Sequence, residues 1–187
     1  FSLLKLGMHL VVKPTWIEYK STPEEVIIEI DPGMAFGTGY HPTTHSCLES
    51  IERLLRPGMR MLDLGTGSGI LTVAAIKLGA THAVALDVDP LAVRAARQNF
   101  RRTEVHNKIS LSQGTLPHRL AQVEHFDLAV ANISAKVVRT LSPFIFQALK
   151  PGGVLIASGM TDEQQQEVNN KLYDVGFSSI QILRRED

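Results

Sequence analysis

The 187-residue sequence contains a single cysteine, Cys47. No intrachain disulfide can form, and a reducing, cytoplasmic setting is expected. Charge of one sign is also missing, since 19 Lys and Arg balance 19 Asp and Glu. With no long basic run, the usual electrostatic footprint of a nucleic-acid binder is absent, and direct nucleic-acid binding is not expected. The doublets Arg101-Arg102 and Arg184-Arg185 read as solvated surface. No uninterrupted apolar segment approaches the roughly 20 residues that span a bilayer, so no membrane partner is expected. Phe1 is not an initiator methionine and no signal-peptide pattern follows it, which suggests a fragment of a longer chain. Neither an internal repeat nor a low-complexity linker is found.

What is present is a soluble globular composition, 44% hydrophobic and 20% charged, long enough for one domain with a sizeable core. Residues 1–31 read as a linker carrying short strands, His9–Val12 and Val26–Ile30. Residues 32–187 read as the catalytic domain. Within it a glycine-dense loop, Asp31 to His41, leads to a helix starting near Pro42, with Leu48, Ile51, Leu54 and Leu55 on its apolar face. Strands are then expected at Arg60–Leu64, Ala83–Asp87, Ile109–Leu111, Phe126–Ala131, Val154–Ser158 and Phe177–Leu183. Helices are expected at Ile70–Leu78, Pro90–Phe100 and roughly Val137–Leu149. A further helix should begin at Thr161, with Gln164 completing a capping box and Gly176 ending it. Strands separated by helices imply right-handed crossovers and an α/β fold: a doubly wound, mostly parallel sheet with helices on both faces.

Ligands of such sheets bind beyond the carboxyl ends of the strands, where the strand order reverses. The first strand-to-helix turn, Leu62-Asp-Leu-Gly-Thr-Gly-Ser-Gly69, places glycines at 65, 67 and 69. Their G-x-G-x-G spacing departs from the G-x-G-x-x-G dinucleotide fingerprint, with Ile70 where the last glycine should stand. Asp87 falls at the end of the second strand, about 20 residues beyond the turn, where an acid can accept from two ribose hydroxyls. Asp89 reads as support for the next helix N-terminus. Asp63 either pairs with a ligand amino group or holds the turn.

Asp63-Leu-Gly-Thr-Gly-Ser-Gly69, Asp87 and Leu149-Lys-Pro-Gly-Gly153 together resemble class I S-adenosylmethionine-dependent methyltransferases, which have a Rossmann-like sheet. Two further stretches narrow the resemblance: Asp31-Pro-Gly-Met-Ala-Phe-Gly-Thr-Gly-Tyr-His-Pro-Thr-Thr44 and Val130-Ala-Asn-Ile-Ser-Ala135. These are similar to the PrmA family, bacterial methyltransferases of the eleventh large-subunit ribosomal protein. The resemblance implies S-adenosyl-L-methionine as cofactor, a large-subunit ribosomal protein as substrate, and lysine ε-amines, with a possible N-terminal α-amine, as acceptors. It implies that Phe36, Thr44, Gly65, Gly67, Asp87 and Asn132 contact the cofactor, and that Asn132 lies beside the transferring methyl as the catalytic residue. Ser134 departs from the leucine usual after Asn-Ile, and Tyr40 occupies a position that varies. The family's N-terminal recognition domain would precede this chain.

Other readings of the same residues stay open. Asn132 could simply cap the turn into the following helix. His41 is a candidate base, or it holds its own loop. His41 and His45 stand four apart, but no Cys/His cluster supplies further zinc ligands, and no metal is expected. Trp16, Tyr19 and Phe36 read as packing residues and Cys47 as core. The glycines around Phe36 are expected to leave that loop mobile. An RNA or small-molecule methyltransferase is the competing function, although RNA amino-methyltransferases commonly show an Asn/Asp-Pro-Pro-aromatic motif where this chain has Asn132-Ile-Ser-Ala135. An NAD-dependent oxidoreductase is disfavoured by the glycine spacing.

Overall fold

A computed structural model describes residues 2–31 and 40–184. Phe36 and the loop around it lie outside these described residues. The centre is a five-stranded sheet of β4 (Arg60–Leu64), β5 (His82–Asp87), β6 (Ile109–Gln113), β7 (Phe126–Asn132) and β8 (Leu149–Ser158). Every neighbouring pair is parallel, in the order β6-β5-β4-β7-β8. The order reverses between β4 and β7, so a crevice opens at their carboxyl ends.

Alternation along the strands divides the core into two layers. Met61, Ala83, Ala85, Leu128 and Val130 face α1 (Pro42–Leu54), α2 (Ile70–Lys77) and α3 (Pro90–Arg102). Leu62, Leu64, Val84, Leu86, Ala129 and Ala131 face α4 (Ala135–Ala148) and α5 (Asp162–Val175). A strand buried on both sides must be apolar at nearly every position, as the runs Met61-Leu62 and Leu128-Ala-Val-Ala131 are. Helix α2 is buried at Ile70 through Ile76, because it lies between the sheet and α1. Among the described residues, no helix is long and apolar enough to cross a membrane.

Before the main sheet stands a smaller one, β1 (Leu4–Leu6), β2 (Leu10–Pro14) and β3 (Val26–Ile30). β1 pairs antiparallel with β2, and β2 pairs parallel with β3. Leu6, Leu10, Val12, Ile28 and Ile30 share one core cluster with α1 and α2. The Glu52 carboxylate of α1 accepts from Met8 N at 2.7 Å and His9 N at 2.9 Å, which clamps the β1–β2 turn to the helix.

Local chemistry sets several boundaries. Thr161 and Gln164 form the expected capping box, and Gly176 ends α5 at φ +126°. Helix α4 starts at Ala135, two residues earlier than the apolar pattern suggests, because Ser134 caps it by accepting from Val137 N at 3.4 Å. Pro143 sits inside α4 and cannot donate to Arg139 O. The Ser142 hydroxyl donates there instead, at 2.8 Å.

Two expectations need correction. Phe177–Leu183 is not a strand: residues 177–184 carry no ladder. Ser179 takes φ +57°, which breaks an extended run, and Phe177 packs edge-on against Phe146 at 5.2 Å. An apolar pattern cannot supply its own ladder partner. The strand expected from Val154 begins at Leu149 and carries Pro151-Gly-Gly153 in a register shift, with Phe126 opposite Leu149 and Leu128 opposite Val154.

Candidate functional site

The crevice is a cleft of about 340 Å³ at the strand-order reversal. Gly65, Gly67, Asp87 and Asn132 all line it. The turn after β4 is pinned to β5, because Gly65 N and Thr66 N both donate to Leu86 O, at 2.8 and 3.0 Å. The glycines prove to have different reasons. Gly67 lines the cleft and its N–H holds Asp87. Gly69, at φ +85°, admits the ring of Phe100 from α3: a Cβ there would come within 2.8 Å of Phe100 Cζ.

Asp63 is buried behind the turn. Its Oδ2 accepts from the Thr66 and Thr72 hydroxyls at 2.8 Å each, so it holds the turn and the start of α2. Burial raises this carboxyl to about 6 from 3.8, the two threonine hydroxyls oppose the rise, and nearby Asp87 adds to it. An acid with a raised folded-state value binds its proton more tightly when folded. Its contribution to stability is therefore fullest below pH 4 and is lost as pH rises through about 6. The span of about two units corresponds to about 3 kcal/mol. Asp63→Asn should remove this slope. The parent–variant difference in urea stability should change by about 2–3 kcal/mol between pH 4 and pH 6.5. A constant difference would show that the carboxyl titrates as an exposed one does.

Asp87 ends β5, half-exposed in the cleft. Its Oδ2 accepts from Gly67 N at 2.9 Å and its Oδ1 from Asp89 N at 3.0 Å. A carboxylate offers about four acceptor sites. Each oxygen therefore keeps capacity for one further donor, and the pair suits a vicinal diol. Asp89 caps α3 by accepting from Leu91 N at 2.9 Å.

Asn132 ends β7. Its Nδ2 donates to Thr44 Oγ1 at 3.4 Å, and Thr44 is itself buried in the first turn of α1. Thr44 thus lies beneath Asn132, outside the described cleft lining. Ser134 supplies the cap of α4, so Asn132 is not needed for it. His41 caps α1: its Nδ1 accepts from Thr43 N at 3.3 Å and lies 2.7 Å from Thr43 Oγ1. Its side chain is thereby used in holding the helix start. Among the described residues, no group of three His, Cys, Asp or Glu could hold a metal ion.

Sequence reasoning missed the apolar walls. Val88 comes from the β5–α3 connection, Leu91 from the first turn of α3, Val137 and Leu141 from α4, and Gly114 and Thr115 from the segment after β6. Gly114 N donates to Asp87 O at 2.9 Å, which draws that segment to the cleft. The available signal was Gly114, three residues beyond the strand expected at Ile109–Leu111, where a loop at the sheet's carboxyl edge is expected.

Residues 1–187 match the family described as ribosomal protein L11 methyltransferase (PrmA). A ribosomal protein L11 methyltransferase of Chloroflexus aurantiacus is 42% identical over 203 residues, covering 97% of this chain and 62% of that protein. One from Pelotomaculum thermopropionicum is 49% identical over 162 residues, covering 86% of this chain and 52% of the other. The chain therefore spans roughly half to three-fifths of these relatives' length. The crystal structure of a ribosomal protein L11 methylase from Lactobacillus delbrueckii subsp. bulgaricus is 33% identical, with a TM-score of 0.90, covering all of this chain and 94% of that one. The five-stranded parallel sheet with helices on both faces is accordingly the Rossmann-like methyltransferase fold. The chain belongs to the ribosomal protein L11 methyltransferase family.

Proposed function

We propose that this chain is the catalytic part of an S-adenosylmethionine-dependent protein N-methyltransferase acting on lysine ε-amines, and an N-terminal α-amine, of ribosomal protein L11. The observation that carries the reading is one cleft in which Asp87 keeps two acceptor positions and Asn132 presents an amide. The cleft fits the cofactor in size, since small-molecule sites run from about 300 to 1,000 Å³. It also fits in chemistry. The Asp87 carboxylate would hold the ribose hydroxyls, the Gly65–Gly67 turn would lie under the methionine moiety, and Val88, Leu91 and Val137 offer apolar contact. Residues 32–187 would form the catalytic domain, with the short strands of 1–31 sharing its core. In the longer protein, substrate capture would fall to the recognition domain that the family resemblance implies. A reducing cytoplasm suits Cys47, which is buried and whose thiol burial pushes up to about 12.

Bound S-adenosylmethionine would supply an electrophilic methyl whose S–C bond breaks as the new N–C bond forms. The chain's own task is to present a neutral amine. A lysine with pKa near 10.4 is neutral only about once in 2,500 at pH 7, a cost of roughly 4–5 kcal/mol. Apolar walls favour the neutral form by withholding solvation from the ammonium. The Asn132 carbonyl oxygen would accept one amine N–H and aim the lone pair, and the proton left on the methylated nitrogen departs to solvent. Asn132→Ala is expected to slow methyl transfer by about 10- to 100-fold, the worth of one hydrogen bond to a group that becomes charged. S-adenosylhomocysteine affinity should hold within about threefold, about 0.7 kcal/mol. Equal losses in both would make Asn132 a cofactor-binding residue only.

Calorimetry with S-adenosylhomocysteine and with NAD, followed by radiolabelled methyl transfer to L11 by the full-length protein, tests the whole reading. Binding of NAD alone would overturn it, as would transfer to RNA in place of L11.

A further inference from the structure

We infer that Gln113 is a positioning residue whose side chain fixes the peptide that aims the Asp87 carboxylate at the ribose hydroxyls. This rests on the methyltransferase reading above. Strands β5 and β6 end side by side, with Asp87 opposite Gln113. Gly114 N donates to Asp87 O at 2.9 Å and closes the ladder at their ends. One residue further along, the Gln113 side chain takes over, and its Nε2 donates to Val88 O at 3.1 Å. Only the NH2 end of a glutamine amide can serve a carbonyl oxygen, so the direction of this bond is fixed.

Val88 O and Asp89 N are the two ends of one planar peptide. The Asp89 N–H donates to Asp87 Oδ1 at 3.0 Å. Gln113 therefore holds one end of a rigid unit whose other end holds the carboxylate. This peptide lies between the end of β5 at Asp87 and the start of α3 at Pro90, where the regular bonding of strand and helix does not set its plane. A carbonyl that accepts a hydrogen bond also polarises the N–H of the same peptide, which tightens the grip on Asp87. The aim matters because Gly67 N and Asp89 N leave one outward acceptor position on each oxygen. A carboxylate turned about its Cβ–Cγ bond would present neither position to a pair of neighbouring hydroxyls. One held in place beforehand loses less freedom when the ligand binds. Gln113 and Val88 are exposed, so water competes for their bond and its worth is severalfold in affinity.

The test measures S-adenosylhomocysteine binding to the full-length protein by calorimetry, comparing Gln113→Met, Gln113→Glu and Asp87→Ala. Gln113→Met keeps the length and removes the donor. Its Kd should rise about fivefold, the equivalent of about 1 kcal/mol. Gln113→Glu keeps the shape but turns an acceptor toward Val88 O, and its Kd should rise about five- to tenfold. In methyl transfer to L11 the loss should fall on KM for S-adenosylmethionine and leave kcat within about twofold. In an Asp87→Ala background, Gln113→Met should raise Kd by less than about 1.5-fold further, since both act through one carboxylate. Unliganded thermal midpoints check folding, and the glutamate variant keeps the test decisive if methionine disturbs the end of β6. A Gln113→Met Kd equal to the parent's would overturn the inference. So would a cost that persists undiminished without the Asp87 carboxylate, which would assign Gln113 to the apolar wall at Val88. A parent protein that binds no S-adenosylhomocysteine would instead overturn the methyltransferase reading, and the positioning role with it.

Discussion

Asp87→Ala is expected to weaken S-adenosylhomocysteine binding by at least about a hundredfold, from two lost hydrogen bonds to a charged acceptor at about 1.5–3 kcal/mol each. The geometry explains why both are lost together. Gly67 N occupies one position on Oδ2 and Asp89 N one on Oδ1, which leaves the outer two side by side for neighbouring hydroxyls. The same backbone donors fix the carboxylate before any ligand arrives, so little side-chain entropy is lost on binding. Asp87→Asn keeps a single acceptor oxygen and should fall between parent and alanine variant, at about 10- to 30-fold. Calorimetry decides the matter, with unliganded thermal midpoints to show that the fold persists. An alanine variant within about threefold of the parent would place the sugar elsewhere.

Gly69→Ala should destabilise the chain by about 2–5 kcal/mol, a large share of the 5–15 kcal/mol that holds a typical domain. Two penalties add. At φ +85° a residue with a Cβ incurs about 1–2 kcal/mol. Overlap with the Phe100 ring adds about 1–3 kcal/mol, because α2 and α3 are held against the same face of the sheet and cannot easily separate. Pairing the change with Phe100→Leu should return the overlap part and leave the backbone part, giving a favourable coupling of about 1 kcal/mol or more. Urea denaturation of the parent and the three variants in the cycle measures this. A Gly69→Ala midpoint equal to that of the parent would mean that α3 yields freely to the added carbon.

These two residues illustrate how much of the site could be read in advance. The place of Asp87 in the cleft was legible because it follows from local order: a strand, a glycine turn and an acid one strand later. In the structure Gly65, Gly67, Asp87 and Asn132 line one cleft, while Thr44 stands beneath Asn132, 88 residues away in sequence. Phe36 lies outside the described residues. Gly69 was legible as a glycine but not in its purpose. The spacing suggested room for a ligand, whereas the neighbour that needs the room is Phe100, brought there by the folding of α3.

The same division runs through the fold. The capping box of Thr161 and Gln164, the cap at Asp89, and the two-sided apolar strands around Leu62 and Ala129 are interactions within a few residues, so sequence alone determined them. Phe177–Leu183 carried a strand's pattern and formed none, because a ladder requires a partner that no pattern specifies. Tertiary structure alone decided that Ser134 and not Asn132 caps α4. It also decided that Asp63 serves two threonine hydroxyls, and that one end of the Asn132 amide rests on Thr44. Short-range hydrogen bonds and periodic burial are written in neighbouring residues. The choice among partners for a polar side chain is made only when distant segments pack against each other.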